Sequence, residues 1–514
     1  MRMTWFHSGI ARRGTPRSGG APRSLRYSAA SRAVGLLAAA AAALTALLAT
    51  LAAPGTARAQ EPTRAPSAVV GDWLGTLAVP GGSLRIVFHI TEANGGLAAT
   101  MDSPDQGAFG IPTGAVRLTG DTLSIEVPIV YGRYRGEVRG DTIEGTWSQG
   151  VASFPLVVVR TEEAAPPRRP QHPEPPYPYD AIDVTIPTDD PGVTLAGTLT
   201  KPFGDGPFPA VVLISGSGPQ DRDETLFGHK PFLVIADALT RHGVAVLRYD
   251  DRGFGASTGN FAAATTADFA NDALAAVRYL RGRSDIDPAR IGLIGHSEGG
   301  IVAPMAARRS DDVAFVALLA GPGVPFEELL PIQIERIALA DGATPEAAAA
   351  MRRGTRRLME IARDKPDRGE AAAKMREAVR EMIDALPPDQ RDTYGTTPQM
   401  REAAIAQQVT FFNSPWMRFL IGRDPADDLR RLSIPVLALN GTLDLNVPPD
   451  VNLPPIRRAL EEAGNPASRV YELPGLNHLF QPATTGLGRE YGTIETTFDP
   501  RALEILVHWI LDQT

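Results

Sequence analysis

The chain has 514 residues, 43% of them hydrophobic and 21% charged, which is enough for two or three domains and at least one large core. Its formal net charge is −8, and the first 59 residues hold eight arginines and no acid, so the remainder holds 43 basic and 59 acidic residues. An acidic chain of this kind excludes nucleic acid as the expected partner. The absence of cysteine from the sequence excludes disulfides, a thiol nucleophile and a cysteine-bound metal.

Residues 1–59 are typical of an export signal. An arginine-rich lead precedes the apolar, alanine-rich run Ala33–Ala53, and Ala57 and Ala59 supply the small residues that a signal peptidase reads. We expect cleavage after Ala59, then a short tail over 60–67, and a periplasmic or secreted protein without a stable membrane span. The alternative is an uncleaved anchor, because the apolar run is nearly long enough to cross a membrane.

Residues 68–161 predict a small all-β domain, either a barrel or a sandwich. Apolar and polar residues alternate in short segments such as Leu84–Ile90 and Leu123–Val127, and turn-forming pairs such as Gly120-Asp121 and Gly140-Asp141 separate them. No catalytic group of residues is visible in this part of the sequence, so its role stays open.

A proline-rich segment, residues 162–180, predicts a semi-rigid spacer between two folded parts. From residue 181 to 514, strand-like and helix-like segments alternate. The strand-like segments are mostly apolar: Val193–Thr200, Ala210–Ser215, Val244–Tyr249, Ile291–Ile294, Ala314–Leu319, Val436–Asn440 and Arg469–Leu473. The intervening helices are predicted at Pro231–Arg241, Asp268–Arg281 and Ser297–Arg309. This order indicates a doubly wound, mostly parallel sheet.

The alternation stops over about 325–431, where Ala, Arg, Glu and Met recur at helical spacing. Turns are expected at Asp341-Gly342 and at Leu386–Asp389. This region follows the strand that comes after the G-x-S-x-G motif at 295–299, which is described next. An insertion at this place predicts a helical cap that covers a site and excludes water. The alternative is a helical excursion that never contacts a substrate.

The central motif is Gly295-His296-Ser297-Glu298-Gly299, a G-x-S-x-G pattern between a predicted strand and a predicted helix. Strand, tight turn and helix form a nucleophile elbow, in which the serine hydroxyl stands above the sheet edge. Glycines at the flanking positions allow strand and helix to approach closely. Ser257 lies in a second G-x-S-x-G match, but no apolar strand directly precedes it, so Ser297 is the predicted nucleophile.

A serine hydroxyl needs a base with a pKa near neutrality, and histidine needs an acid to orient it. In α/β-hydrolases the acid and then the histidine follow the serine along the chain. Asp444 follows the predicted strand Val436–Asn440, and His478 follows the next predicted strand. Asp450 is a weaker rival for the acid, because it opens a helix. The predicted triad is therefore Ser297, Asp444 and His478.

Two backbone N–H groups are expected to form the oxyanion hole. One belongs to Glu298, directly after the nucleophile, and the other to Ser217, with Gly218 as the second choice. The run Asp250-Asp251-Arg252-Gly253 could suggest a paired-carboxylate or metal site. A local ion pair and a turn that holds the loop of Ser217 explain this run better.

Several motifs together resemble exported bacterial α/β-hydrolases of the serine carboxylesterase type, which are often assigned to a serine aminopeptidase-like branch. They are GSGPQDRDE (216–224), FGHKPF (227–232), VLRYDDRGFGASTG (246–259), GHSEGG (295–300), PVLALNGTLDLNVP (435–448) and LNHLFQ (476–481). The resemblance covers nearly all of 181–514. It implies an α/β-hydrolase fold with a cap, and hydrolysis of small acyl esters by Ser297, Asp444 and His478.

The expected function is a serine hydrolase that cleaves small carboxylic esters through an acyl-enzyme intermediate, with a small-molecule ester as its partner and no cofactor or metal. Two alternatives stay open. An aminopeptidase or amidase could use the same triad, but it would need an acidic pocket for a free amine. A non-catalytic envelope-binding protein would use the β domain as its functional part.

Overall fold

The computed structural model describes residues 66–79, 82–93, 96–104, 108–130, 132–149, 152–162, 169–384, 391, 394 and 397–514. The expected signal peptide, and all but the last two residues of the expected tail, lie outside these ranges. Within the described ranges, none of the helices combines the length and apolarity that a membrane crossing requires.

The N-terminal domain is a β-barrel, so the predicted all-β class is confirmed. Its strands are β1 Gly71–Val79, β2 Gly82–Ala93, β3 Gly96–Ser103, β4 Ala108–Pro112, β5 Val116–Thr119, β6 Thr122–Val127, β7 Gly132–Arg139, β8 Thr142–Gln149 and β9 Ala152–Thr161. They pair in the order β2-β1-β9-β8-β7-β6-β5-β3-β4, and a further pairing of β2 with β3 closes eight of them into a ring. Strand alternation points Trp73, Phe88 and Tyr134 into a common core.

The C-terminal domain is built on an eight-stranded sheet. Its strands are β10 Asp180–Pro187, β11 Thr194–Lys201, β12 Phe208–Ile214, β13 Ala245–Tyr249, β14 Ile286–His296, β15 Phe315–Leu319, β16 Val436–Gly441 and β17 Arg469–Leu473. The spatial order is β10-β11-β13-β12-β14-β15-β16-β17. Strands β12 to β17 are parallel to one another, and β11 is antiparallel to both of its neighbours, β10 and β13. All seven predicted strands are present. Strand β10, which directly follows the proline-rich segment, was not predicted.

Helices cover both faces of this sheet. The sheet and its helices together form an α/β-hydrolase fold, as predicted. One face packs against α2 Thr266–Arg281, α3 Gly299–Ala307 and α10 Pro449–Ala463. The other packs against α1 Pro231–Arg241 and the last helix, α12 Pro500–Leu511. A short helix, α11 Gly488–Tyr491, precedes the last one. Parallel strands buried on both faces explain why their sequences are apolar without alternation.

The region between β15 and β16 is helical, as predicted for the insertion. Its helices are α4 Phe326–Ala340, α5 Pro345–Asp364, α6 Arg368–Asp384, α7 Pro398–Phe412, α8 Pro415–Leu420 and α9 Pro425–Leu429. They form an apolar core of their own, which includes Met375, Val379 and Phe412. The expected turn at Asp341-Gly342 is present. The other one, Leu386–Asp389, lies outside the described residues.

The proline-rich segment contacts the C-terminal domain. Residues 169–172, the described part before Pro173, form hydrogen bonds to that domain through Arg169, Gln171 and His172. The composition did not predict these contacts, and the role of residues 162–180 as a spacer stays a prediction.

Candidate active site

The turn at Ser297 has the geometry of a nucleophile elbow. Strand β14 ends at His296, helix α3 begins at Gly299, and Ser297 between them has a φ of +53°, which side-chain-bearing residues rarely adopt. A Cβ built on Gly295 would lie 1.9 Å from the carbonyl oxygen of Gly299, and one on Gly299 would lie 2.2 Å from that of Ile214. Neither position has room for a side chain, because backbone atoms block both.

The structure brings the side chains of Ser297, His478 and Asp444 together. Each residue follows the carboxyl end of a parallel strand, β14, β17 and β16 respectively, and these ends share one edge of the sheet. Nε2 of His478 lies 3.1 Å from Oγ of Ser297, and Nδ1 lies 2.9 Å from Oδ2 of Asp444. Because a carboxylate only accepts, Nδ1 carries the proton, and Nε2 is left to accept from the serine hydroxyl.

The Asp444 carboxylate is fixed by its own loop. Its other oxygen, Oδ1, accepts hydrogen bonds from the backbone N–H groups of Asn446 at 2.9 Å and Val447 at 2.8 Å. Oδ2 is therefore the oxygen that faces His478. The rival acid, Asp450, pairs instead with Arg336 at the protein surface.

The predicted oxyanion donors lie on either side of the serine turn. Glu298 directly follows Ser297, and Ser217 lies in the loop Ser215–Gln220, which begins after β12. Neither backbone N–H donates a hydrogen bond to another residue of the described part of the chain. The hydrogen-bonding capacity of these two N–H groups is therefore not used within that part of the chain.

Asp251 forms hydrogen bonds with both ends of the loop Ser215–Gln220, which agrees with the turn role predicted for the run 250–253. Its Oδ1 accepts from Oγ of Ser215, and its Oδ2 accepts from the backbone N–H of Gln220, both at 2.8 Å. Burial raises the pKa of Asp251 well above its usual range, although these two hydrogen bonds oppose the shift. The neighbouring Asp250 forms an ion pair with Arg222. Both carboxylates are therefore engaged in the fold.

Sequence reasoning missed a pair that lies behind the serine, Glu224 and His296. Nδ1 of His296 lies 2.8 Å from Oε1 of Glu224, which also accepts from the backbone N–H of Gly216 at 2.8 Å. Nε2 of His296 lies 3.0 Å from the carbonyl oxygen of His478, so this nitrogen is the donor. Burial lowers the pKa of His296, but Glu224 outweighs burial and the net shift is upward. The pair connects the oxyanion loop to the loop of His478.

A second missed feature is the environment of the Glu298 side chain. Its Oε1 accepts hydrogen bonds of 2.7 Å from Oγ1 of Thr266 and from Nε1 of Trp416, which lies in helix α8 of the insertion. Burial raises the pKa of the Glu298 carboxyl, and these hydrogen bonds oppose that shift only in part. The signal available in the sequence was a charged residue, Glu298, directly after the predicted nucleophile. Its hydrogen-bond partners could not be predicted, because Thr266 and Trp416 lie 32 and 118 residues away in the sequence.

The second G-x-S-x-G match serves a structural purpose. Oγ of Ser257 donates to the carbonyl oxygen of Asp250 at 2.7 Å and accepts from the backbone N–H of Ala196 at 2.9 Å. With both bonds made and the residue buried, Ser257 stabilises the turn that carries the Asp250-Asp251 pair. Within the described residues, no three His, Asp or Glu side chains are grouped so that they could bind a metal ion.

Comparisons with known proteins agree with this architecture. A sequence profile described as the alpha/beta hydrolase family matches residues 211–484. Esterase EstD of Thermotoga maritima is 40% identical over 141 residues, which are 27% of this chain and 34% of that protein. An uncharacterised protein of Mycobacterium tuberculosis is 35% identical over 134 residues, 26% of this chain and 43% of that protein. The chain thus spans less than half the length of these curated relatives.

Two solved structures also match this chain. The Pyrococcus furiosus esterase Pf2001 matches with a TM-score of 0.39 and 15% identity, over 69% of this chain and 98% of that one. Est1E of Butyrivibrio proteoclasticus, solved with ferulic acid bound, matches with a TM-score of 0.36 and 19% identity, over 64% of this chain and 98% of that one.

Proposed function

The chain belongs to the alpha/beta hydrolase family, and we propose that within this family it is a serine esterase that cleaves small carboxylic esters through an acyl-enzyme intermediate. The observation that carries the proposal is the row of hydrogen bonds from Ser297 through His478 to Asp444, at 3.1 and 2.9 Å. This order of groups is the one that activates a serine hydroxyl near neutral pH.

The proposed reaction begins when Oγ of Ser297 attacks the acyl carbon of the ester. Nε2 of His478 takes the hydroxyl proton, and Asp444 stabilises the imidazolium that forms. The negative charge on the carbonyl oxygen is held by the N–H groups of Glu298 and Ser217. The tetrahedral intermediate collapses, His478 returns the proton to the leaving alcohol, and the acyl group stays on Ser297. Water, deprotonated by His478, then attacks the acyl carbon and releases the carboxylic acid.

The helical insertion supports this proposal because it reaches the reacting groups. Trp416 of α8 contacts Glu298, and its ring packs edge-on against Phe326 with the centroids 5.6 Å apart. Aromatic side chains beside the nucleophile turn favour an uncharged acyl or alcohol group and reduce the access of water. We therefore propose that the insertion acts as a cap over the substrate.

The aminopeptidase alternative needs an acidic group that a free amine can reach. Glu298 is the acid beside the nucleophile, but Thr266 and Trp416 occupy its Oε1, and its Oε2 is buried within the protein. Glu224, the next acid, is likewise occupied by Gly216 and His296. This arrangement favours esters over peptides with a free amino terminus.

The proposal is tested with Ser297→Ala in the full chain. We expect hydrolysis of p-nitrophenyl acetate and labelling by a fluorophosphonate to be lost. The matched control is Ser257→Ala, in the second G-x-S-x-G sequence, which should keep the labelling. If Ser297→Ala is fully active, or if the unmodified protein is never labelled, a serine esterase is excluded, and the non-catalytic envelope-binding alternative gains support. A higher rate on amino-acid anilides than on matched esters would favour the aminopeptidase.

Export is a separate proposal that rests on sequence alone. We propose that residues 1–59 direct the protein to the periplasm or the medium and are removed after Ala59. The mass of the protein recovered from that compartment tests this, because an intact N-terminus would indicate an anchor.

A further inference from the structure

The segment Arg169–His172 forms hydrogen bonds with two loops of the C-terminal domain. Within the described residues, the guanidinium of Arg169 donates to the backbone carbonyl oxygens of Gly492 at 2.7 Å, Ile494 at 3.0 Å, Phe227 at 3.0 Å and Gly228 at 3.3 Å. Two of these acceptors lie in the loop before α1, and two follow α11. A planar group with five fixed N–H donors suits such a set of acceptors, which a lysine could not match.

Two further residues of the segment bind the same two loops. The side-chain amide of Gln171 donates to the carbonyl oxygen of Phe498 at 2.7 Å and accepts from the N–H of Thr497 at 2.6 Å. Nε2 of His172 accepts from the N–H of Lys230 at 3.1 Å. Burial, with the nearby positive charges of Lys230 and Arg169, lowers the pKa of His172 to about 4, so its ring is neutral and can accept.

The loop after α11 continues directly from Tyr491. The phenol of Tyr491 contacts Asn446, in the loop that carries Asp444. The ring of Tyr491 is buried, and it meets the ring of Phe227 edge-on at 5.3 Å between centroids. Its carbonyl oxygen accepts from Nε2 of His229 at 2.8 Å. Both contacts join Tyr491 to the loop before α1. The loop before α1 and the loop after α11, to which Arg169 donates hydrogen bonds, are therefore also packed on each other.

The phenol of Tyr491 supports the loop that carries Asp444. Its oxygen accepts a hydrogen bond of 3.2 Å from Nδ2 of Asn446, and the backbone N–H of Asn446 donates to Asp444. Burial raises the pKa of this phenol, and the backbone N–H of His478 opposes the shift. The buried phenol therefore holds the loop from which Asp444 meets His478.

We propose that Arg169 is a positioning residue for His478 and acts through Tyr491. By fixing the carbonyls of Gly492 and Ile494, Arg169 fixes the backbone next to Tyr491. The phenol then supports Asn446, whose backbone N–H holds the Asp444 carboxylate that pairs with His478. The inference rests on the proposed function, because the position of His478 controls a rate only if His478 is the base. A displacement well below 1 Å at a catalytic group is enough to lower a rate measurably.

The experiment is a double-mutant cycle in the full chain, with Arg169→Ala, Tyr491→Phe and the double variant, and with p-nitrophenyl acetate as the substrate. Each single change should lower kcat about tenfold and leave KM within about twofold, because the geometry of the base and not substrate binding is altered. The double variant should be no slower than the slower single variant, because both act on one contact chain. Arg169→Lys, which keeps the charge but not the fork, should fall between wild type and Arg169→Ala.

The matched control is Arg160→Ala. Arg160 also donates to two backbone carbonyls, those of Ala68 and Val70, but it lies in the barrel, so kcat should not change. Multiplicative effects in the double variant would overturn the inference. So would an Arg169→Ala protein that melts at a lower temperature but keeps its full kcat well below that temperature.

A second measurement does not depend on activity. Amide hydrogen exchange over residues 444–447 should become faster in Arg169→Ala and in Tyr491→Phe, and not in Arg160→Ala, because the phenol that supports the side chain of Asn446 is displaced or lost. Unchanged exchange at these amides would refute the positioning role. The same comparison in a Ser297→Ala background separates the two hypotheses, since it reads the stability of the loop that carries Asp444 whether or not the protein is an esterase.

Discussion

Trp416 of the helical insertion donates a 2.7 Å hydrogen bond to Glu298, the residue that directly follows Ser297. The two residues are 118 positions apart, and the bond joins the insertion to the side chain of the residue whose backbone N–H is the proposed oxyanion donor. The insertion and the catalytic turn therefore form one structural unit.

Replacing Trp416 by Phe should lower kcat/KM about tenfold. The ring stays, but the buried Glu298 carboxyl loses a donor, and a lost hydrogen bond to a buried polar group costs about 1 to 3 kcal/mol. The measurement is steady-state kinetics on p-nitrophenyl acetate. Trp509→Phe is the control, because the indole of Trp509 donates to the carbonyl of Ala467, far along the sheet from the triad. Equal activity of both variants would remove Trp416 from the active-site unit.

Replacing Asp444 by Asn should lower kcat about 10³- to 10⁴-fold. The amide cannot fix the His478 tautomer in which Nε2 accepts the serine proton, and it cannot stabilise the imidazolium. The comparison is Asp450→Asn, which only loses a surface ion pair with Arg336 and should keep nearly full activity. If the two variants exchanged these results, Asp450 and not Asp444 would be the acid.

Gly295→Ala should prevent correct folding or lower the free energy of unfolding by more than about 3 kcal/mol. The added Cβ would meet the Gly299 carbonyl oxygen at 1.9 Å, and this backbone cannot move without displacing Ser297. Gly282→Ala provides the contrast, since Gly282 has a φ of −75° and its nearest neighbours lie at 3.6 Å. That change should alter stability by less than about 1 kcal/mol in urea unfolding. A soluble Gly295→Ala protein of normal stability would show that the turn is looser than its geometry indicates.

The barrel should become less stable as pH rises from about 6.5 through 8. The hydrogen bond to Asp102 raises the pKa of His89 to about 8, against burial and with a further contribution from Asp72. Because the pKa is higher in the folded state, the stabilisation is complete below the unfolded value of about 6.5 and is lost as pH passes the folded value. It amounts to at most about 2 kcal/mol.

This dependence is measured by urea unfolding at several pH values, following tryptophan fluorescence. His89→Gln should remove the difference between pH 6.5 and 8.5, whereas His242→Gln, an exposed histidine on α1's carboxyl end, should keep it. A wild-type curve that is flat over this interval would contradict a charged His89 between the two aspartates.

The sequence predicted those features that follow from local pattern and from the geometry of parallel sheets. Ser297, Asp444 and His478 each come directly after an apolar strand, and parallel strands deliver their carboxyl ends to one edge, so chain order alone suggested their convergence. Sequence could not predict Trp416 as a partner of Glu298, because the packing of the insertion helices against one another decides where that indole lies. The same holds for the pairing of His296 with Glu224.

Arg169 illustrates a different limit. The prolines around Arg169 indicated a stiff segment, and a stiff segment between two domains indicated a spacer. The position of Arg169 is decided by hydrogen bonds to backbone carbonyls in two loops that lie far from it in the sequence. Strand β10 was missed for a related reason, since its sequence begins directly after the prolines and its partner β11 supplies the ladder that defines it.

The insertion enters and leaves the sheet between β15 and β16, so in other members of such a fold it would be the natural part to exchange when a new substrate is wanted. Here the exchange would not be neutral, because the indole of Trp416 also binds the side chain of Glu298, the residue after Ser297. A grafted insertion would have to bring an equivalent donor, or the acid at position 298 would have to be replaced together with it. Engineering of substrate preference in this protein is therefore a problem of two linked positions and not of one detachable segment.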